Sequence, residues 1–216
     1  MLCYGQWSLL VSAGEIYTIG HSTRTLEAFI SLLKHWAITG LVDVRSSPWS
    51  RFNPHFNRSD LKLSLGSQQI EYRFFGRQLG GRPDFPQLYR DGVANYEAMA
   101  QTPSFHEGLN MVAAGAEKHS LALMCSEHDP LDCHRCLLVG RALSERGYSV
   151  RHVLSHEEAQ SQVDIEARIL KLTGNNQHDF LHQAENPLVM AYREWGRRVA
   201  YSEQSDPNTS DDVRYG

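Results

Sequence analysis

The chain has 216 residues, 41% of them hydrophobic and 21% charged, with a formal net charge of −4. That length suits one sizeable core rather than two full domains, no apolar run approaches the ~20 residues that a bilayer-spanning helix needs, and four cysteines are too few for a disulfide scaffold. The mild acidity excludes a global electrostatic pull towards nucleic acid.

Residues 1–15 hold a short apolar stretch, Trp7 to Ala13, without a basic leader or a clear small-x-small cleavage site. They read as an N-terminal extension rather than a signal peptide, and a reducing cytoplasm is the expected compartment. EIYTIG (15–20) is rich in β-branched and aromatic residues and predicts a strand. In TLEAFISLLKHW (25–36), Leu26, Phe29, Ile30 and Leu33 share one helical face, and Thr25 is placed to cap it. GLVDVR (40–45) predicts a second strand. Residues 46–69 read as a long loop with one short helix, RSDLKLSLG; long loops in compact domains are often functional. QIEYRFF (69–75) predicts a third strand and GRQLGGRPDFP (76–86) a Gly/Pro loop.

Two helices are expected at 93–100 and 104–117, the second started by Thr102-Pro103. SLALMC (120–125) is a continuous apolar strand, as expected where both sheet faces are covered. CHRCLLVGRALSER (133–146) reads as a helix capped by Asp132 and ended by Gly147. YSVRHVL (148–154) is a fifth strand, Ser155 and Glu158 have capping-box spacing, and DIEARILKLTG (164–174) is a helix. Strands alternating with helices predict a single α/β domain over 16–200, with a mainly parallel sheet flanked by helices in Rossmann-like layers. Residues 155–200 form its helical C-terminal part, and the polar 201–216 read as a disordered tail.

In open α/β sheets ligands bind beyond the carboxyl ends of the strands. That rule selects His21 and Ser22, Asp43 and Arg45, Gly80 and Gly81, and Cys125 and Glu127. The stretch LALMCSEHDPLDCHRC (121–136) admits several readings. Cys125, His128, Cys133, His134 and Cys136 are soft enough ligands for zinc, but they form one crowded cluster rather than two knuckles. A cysteine-phosphatase cradle needs arginine six residues after the cysteine, where Leu131 and Val139 stand. Cys133, expected in a helix's first turn, suits a thiolate, whereas Glu127, Asp129 and Asp132 oppose one. A reversible Cys125–Cys133 disulfide is a further option, and burial as a plain core residue is the bland one for Cys125.

Charge is uneven. Residues 45–90 carry eight Arg/Lys against three acids, a local excess of +5. Within this segment Arg51, Arg58, Arg77 and Arg82 interleave with Trp49, Phe52, Phe56, Phe74 and Phe75. Arginine forks grip phosphate and aromatic faces stack bases. The alternative is an aromatic mini-core ringed by solvated arginines.

Four segments together, YTIGHSTRTLEAFISLL, LVDVRSSPWSRFNPHFNRSDL, IEYRFFGRQLGGRP and LALMCSEHDPLDCHRCLLVGRAL, resemble the domain-of-unknown-function 488 family. The resemblance spans residues 16–154 and rests on T-I-G-H-S, D-V-R-x-x-P, L-G-G and C-x-E-x-x-P-x-x-C-H-R. It implies that His21, Ser22, Asp43, Arg45, Pro48, Gly80, Gly81, Cys125, Glu127, Pro130, Cys133, His134 and Arg135 are signature residues, and that His128 and Cys136 are not. It implies no particular reaction.

The reading is an enzyme acting on a phosphate-bearing substrate, a nucleotide or nucleic acid, at the strand carboxyl ends. Cys125, Glu127, Cys133, His134 and His21 are its candidate catalytic residues. Ser22, Asp43, Arg45, Arg51, Gly80, Gly81, Arg82 and Arg135 are its candidate substrate-binding residues. The alternatives are a single-stranded nucleic-acid-binding module without turnover and a structural zinc protein using Cys125, Cys133 and His134. No cofactor is expected on the first reading, and no membrane partner on any.

Overall fold

A computed structural model describes residues 13–175 and 185–203. The centre is a six-stranded sheet: β1 (Glu15–Gly20), β2 (Gly40–Asp43), β3 (Glu71–Phe74), β6 (Leu121–Cys125), β7 (Ser149–Val153) and β8 (Ala159–Ser161). Their order is β3-β2-β6-β1-β7-β8. The first five run parallel, and β8 closes one edge antiparallel to β7. A separate hairpin pairs β4 (Tyr89–Arg90) with β5 (Val93–Ala94). No helix among the described residues is long and apolar enough to cross a membrane.

Helices cover both faces. On one, α1 (Leu26–His35) and α2 (Arg58–Gly66) pack Phe29, Leu33, Leu61 and Leu65 against Ile19, Leu41 and Met124. On the other, α3 (Gly76–Leu79), α4 (Tyr96–Ala100), α5 (Pro103–Ala116) and α6 (Arg141–Glu145) pack Leu79, Met99, Phe105, Leu109 and Leu143 against Ile16, Val42 and Leu123. All five β6 residues are therefore buried, and their unbroken apolarity follows from having no wet face. α7 (Gln162–Thr173) and α8 (Pro187–Val199) form a third cluster with Leu131, Cys136 and Leu137.

Connectivity locates a crevice. From β1 the chain crosses to β2 and then β3 on one side, returns to insert β6 beside β1, and then passes over β1 to β7. Neighbours β1 and β6 thus send their connections in opposite directions, and at such a switch point the loops diverge to leave room for a ligand.

Several expectations need correction. Gly76–Leu79 is a short helix, not loop. The expected helix over 133–146 begins as a π-helical segment, Arg135–Gly140, before α6. All six residues of that segment are buried, so no amphipathic period marks its winding. Cys133, extended at φ −143° and ψ 136°, occupies the cap position instead of Asp132. Its carbonyl accepts from Leu137 and its sulfur from the Arg135 N–H at 3.4 Å. Ser155 accepts from Glu157 and Glu158 in a turn that leads into β8, and the capping box lies at Ser161–Asp164. The same side-chain-to-backbone bonds serve turns and caps, so spacing alone did not separate them.

The ends also differ. Ala13 donates to Gly147 and Ser149 to Gly14, so the sheet claims the last residues of the expected extension; residues 1–12 lie outside the described residues. Tyr201 to Glu203, expected as tail, lie along the β4–β5 hairpin: Ala94 donates to Tyr201, Val93 bridges Ser202, and Glu203 donates to Gly92. Residues 204–216 lie outside the described residues.

Candidate functional site

The parallel sheet brings the selected residues to one edge, and strand alternation sorts them between its two faces. His21 stacks on Phe56 with centroids 4.2 Å apart, on the α1–α2 side. Its Nδ1 lies 2.8 Å from the Ser22 carbonyl and its Nε2 3.3 Å from Arg45 Nη1. A proton on Nδ1 donates to that carbonyl and leaves Nε2 to accept from the guanidinium. Burial, with the Arg45 charge beside it, lowers the His21 pKa to about 4, so the ring is neutral near pH 7.

Arg45 grips Asp43 bidentately, Nε to Oδ1 at 3.0 Å and Nη2 to Oδ2 at 2.7 Å, and also donates to the Phe56 carbonyl. The Tyr72 hydroxyl donates to Asp43 Oδ2 at 2.7 Å. Arg45 and Asp43 are both buried. Arg45 borders the cavity described below, but these bonds occupy most of its donors and tie Asp43 and Arg45 into a closed network behind the site. Ser22, at φ +52°, donates its N–H to Ser126 at 2.8 Å and ties the ends of β1 and β6 together. A residue held at positive φ without being glycine stores local strain, a recurrent feature of functional sites.

On the other face, Cys125 ends β6 and Cys133 caps the next helix. His134 lies between their sulfurs, its Nδ1 3.8 Å from Cys125 Sγ and 3.9 Å from Cys133 Sγ. Its Nε2 is 2.9 Å from the Val44 carbonyl. Only a protonated Nε2 can donate to a carbonyl, so in the neutral ring Nδ1 turns a lone pair towards the thiols. All three side chains are buried.

The hydrogen bond with Cys133 and burial raise the Cys125 thiol well above its ordinary value. Burial raises Cys133 too, but the Cys125 hydrogen bond, the Arg135 charge and His134 outweigh it and hold that thiol well below. For His134, burial opposes protonation, and the hydrogen bond and charge of Cys133 prevail to raise its pKa.

Arg135 is fully buried. It donates to the Glu127 carbonyl at 2.7 Å and the His128 carbonyl at 2.9 Å, pinning the loop between the two cysteines, and its Nε has no hydrogen-bond partner among the described residues. These bonds give Arg135 a structural role. Three glycines permit the close packing. A Cβ at Gly20 would stand 1.6 Å from the Glu127 carbonyl oxygen, and one at Gly81 would stand 2.8 Å from His134 Cγ and Nδ1. A Cβ at Gly80 would meet Gly76 O at 2.3 Å and Ser46 Oγ at 2.6 Å.

The thiol cluster forms one wall of a cavity of about 670 Å³, with Glu127, Tyr96, Arg51 and Arg82 also on its lining. Glu127 is open to solvent. The cavity walls still desolvate it partly, and with the charge and hydrogen bond of Cys133 they raise its pKa. Trp49 and Phe52 stand at the mouth, 64% and 79% exposed. The Arg51 guanidinium lies 4.8 Å from the Phe52 ring and that of Arg82 4.4 Å from Tyr201. Phe56 is instead buried in the core. A smaller cavity of about 370 Å³ lies between α4, α6 and α8; its Arg141 and Arg193 are paired with Glu145 and with Glu97 and Glu185.

Tyr96, Tyr201 and Ser46 line the main cavity without having been singled out from sequence. Burial and the neighbouring Cys133, Cys125 and Glu127 raise the Tyr96 pKa, keeping its hydroxyl protonated. Tyr201 was hidden in a polar tail, and no local pattern marked either tyrosine.

The profile of the family described as domain of unknown function DUF488 matches residues 25–142, more than half of the chain, and the chain belongs to that family. No curated protein and no solved structure matches it.

Proposed function

We propose that this DUF488 member is an enzyme that binds a nucleotide, free or at the end of a single strand, in the cavity beside Cys125, Cys133 and His134. One observation carries the reading: a buried thiol–imidazole cluster and a rim of arginines and exposed aromatics open onto the same cavity. A volume of about 670 Å³ falls in the range of small-ligand sites, roughly 300–1,000 Å³. Trp49 and Phe52 offer faces for a base, and Arg51 and Arg82 offer charge for a phosphate. Glu127 moves protons at the reacting centre, and the Tyr96 hydroxyl donates to a developing anion. The Arg45–Asp43–Tyr72 network holds the end of β2 rigid behind them.

The test is turnover of a panel of nucleotides and short single strands, followed by product analysis. Cys133→Ser should abolish product, and Trp49→Ala with Arg51→Ala should raise KM more than they lower kcat. The exposure of Trp49 and Phe52 also suits a binding module. Salt-dependent binding of single strands with no product from any of them would establish that second reading and overturn the first.

A further inference from the structure

The thiol cluster has the geometry of a ligand set. The ligand atoms of Cys125, Cys133 and His134 all lie within 4.8 Å of one another, and no fourth described His, Cys, Asp or Glu joins them. Zinc bonds to sulfur at about 2.3 Å and to imidazole at about 2.0–2.1 Å, so a tetrahedral site has S···N edges of roughly 3.6 Å. The S···N edges present are 3.8 and 3.9 Å, each within a few tenths of an ångström of that value.

The surroundings have the features that support metal ligands. His134 gives its Nε2 proton to the Val44 carbonyl, the outer-shell bond that fixes a ligating tautomer. The Arg135 N–H points at Cys133 Sγ and stabilises a thiolate. Arg135 is buried without a carboxylate partner among the described residues, so its charge favours anionic sulfur beside it. A reversible disulfide would use the same sulfurs but leaves the imidazole lone pair aimed at both of them without a role.

We infer that Cys125, Cys133 and His134 bind one zinc-type divalent cation whose fourth position opens onto the cavity. Three protein ligands and one free position define a catalytic rather than a structural centre. This deepens the proposed function and rests on the cavity being the reaction site. The cation polarises a water at the open position, and Glu127 takes its proton. The hydroxide bonds to an electrophilic carbon or phosphorus of the substrate, the bond to the leaving group breaks, and the leaving group takes the proton from Glu127. Water is the only co-reactant, so the reaction class is hydrolysis.

Metal analysis of protein purified without chelator or added metal is the first measurement. Wild type should carry roughly one zinc per chain, and His134→Ala should lose at least about tenfold in metal affinity. Because variants can misfold, the second measurement uses wild type alone. After chelation, cobalt(II) titration should give thiolate-to-metal charge-transfer absorption with tetrahedral ligand-field bands, saturating near one equivalent. Added azide should shift those bands by entering the open position.

Metal-free protein with no charge-transfer band on titration overturns the centre, and bands unmoved by azide overturn the open position. Turnover by metal-free protein removes the metal inference and leaves the proposed function standing. A loaded centre with no turnover of any nucleotide does the reverse.

Discussion

Replacing Gly81 by alanine is expected to displace His134 from between the two thiols. The new Cβ would meet His134 Cγ and Nδ1 at 2.8 Å and its Cβ at 3.1 Å. Ordinary contact begins near 3.4 Å, so the ring must retreat by about 0.6 Å, a displacement large enough to disturb close-packed neighbours. The Nε2 bond to Val44, now 2.9 Å, is the contact such a shift would disturb, and it ceases to count beyond about 3.5 Å. Overpacking of this kind costs about 1–3 kcal/mol, and disturbing a ligand's outer support costs about 10–100-fold in metal affinity. Denaturant unfolding measures the first effect and cobalt titration the second. A Gly81→Ala variant within about 0.5 kcal/mol of wild type and with unchanged cobalt affinity would refute the reasoning, because it would mean that the ring does not depend on the space Gly81 leaves.

Other expected outcomes follow from the same geometry. His152 is fully buried, accepts from Thr18 at Nδ1 and donates from Nε2 to Gln162, and burial lowers its pKa to about 4. A depressed histidine pKa stabilises the fold above the unfolded value near 6.5. That contribution, about 3 kcal/mol, is lost as pH falls towards 4, and urea unfolding at both ends of the range should show a shallower loss in His152→Gln. Arg135→Leu removes both bonds that pin the Glu127–His128 carbonyls and should cost about 1–3 kcal/mol for each carbonyl left without a partner in the same assay; a total loss below about 1 kcal/mol would show that the loop is held otherwise. Trp49→Ala with Phe52→Ala should leave the melting temperature unchanged, since both rings are exposed, while weakening fluorescence-monitored nucleotide binding by about 1–3 kcal/mol per stacked base.

Much of the fold was legible because its signals are local. Thr25 and the apolar face after it mark α1, Thr102-Pro103 marks α5, and the unbroken LALMC run marks β6. Strands of two or three residues, β4, β5 and β8, are too short to show a period. The π-helical entry to α6 left no trace because every side chain in it is buried.

Sequence by itself determined which residues gather at the strand carboxyl ends, since a parallel sheet sends all its strand ends to one edge. Only the tertiary structure decided their partners. A strand's side chains alternate between faces, so His21 joined Asp43 and Arg45 in a closed network while Cys125 met Cys133 and His134 in one wall of the cavity. Gly81 serves the His134 ring, Arg135 serves two carbonyls, and Tyr201 arrives from the far end of the chain. Residue type limits what a side chain can do, but distance and desolvation select among those options, and both arise only when distant segments pack.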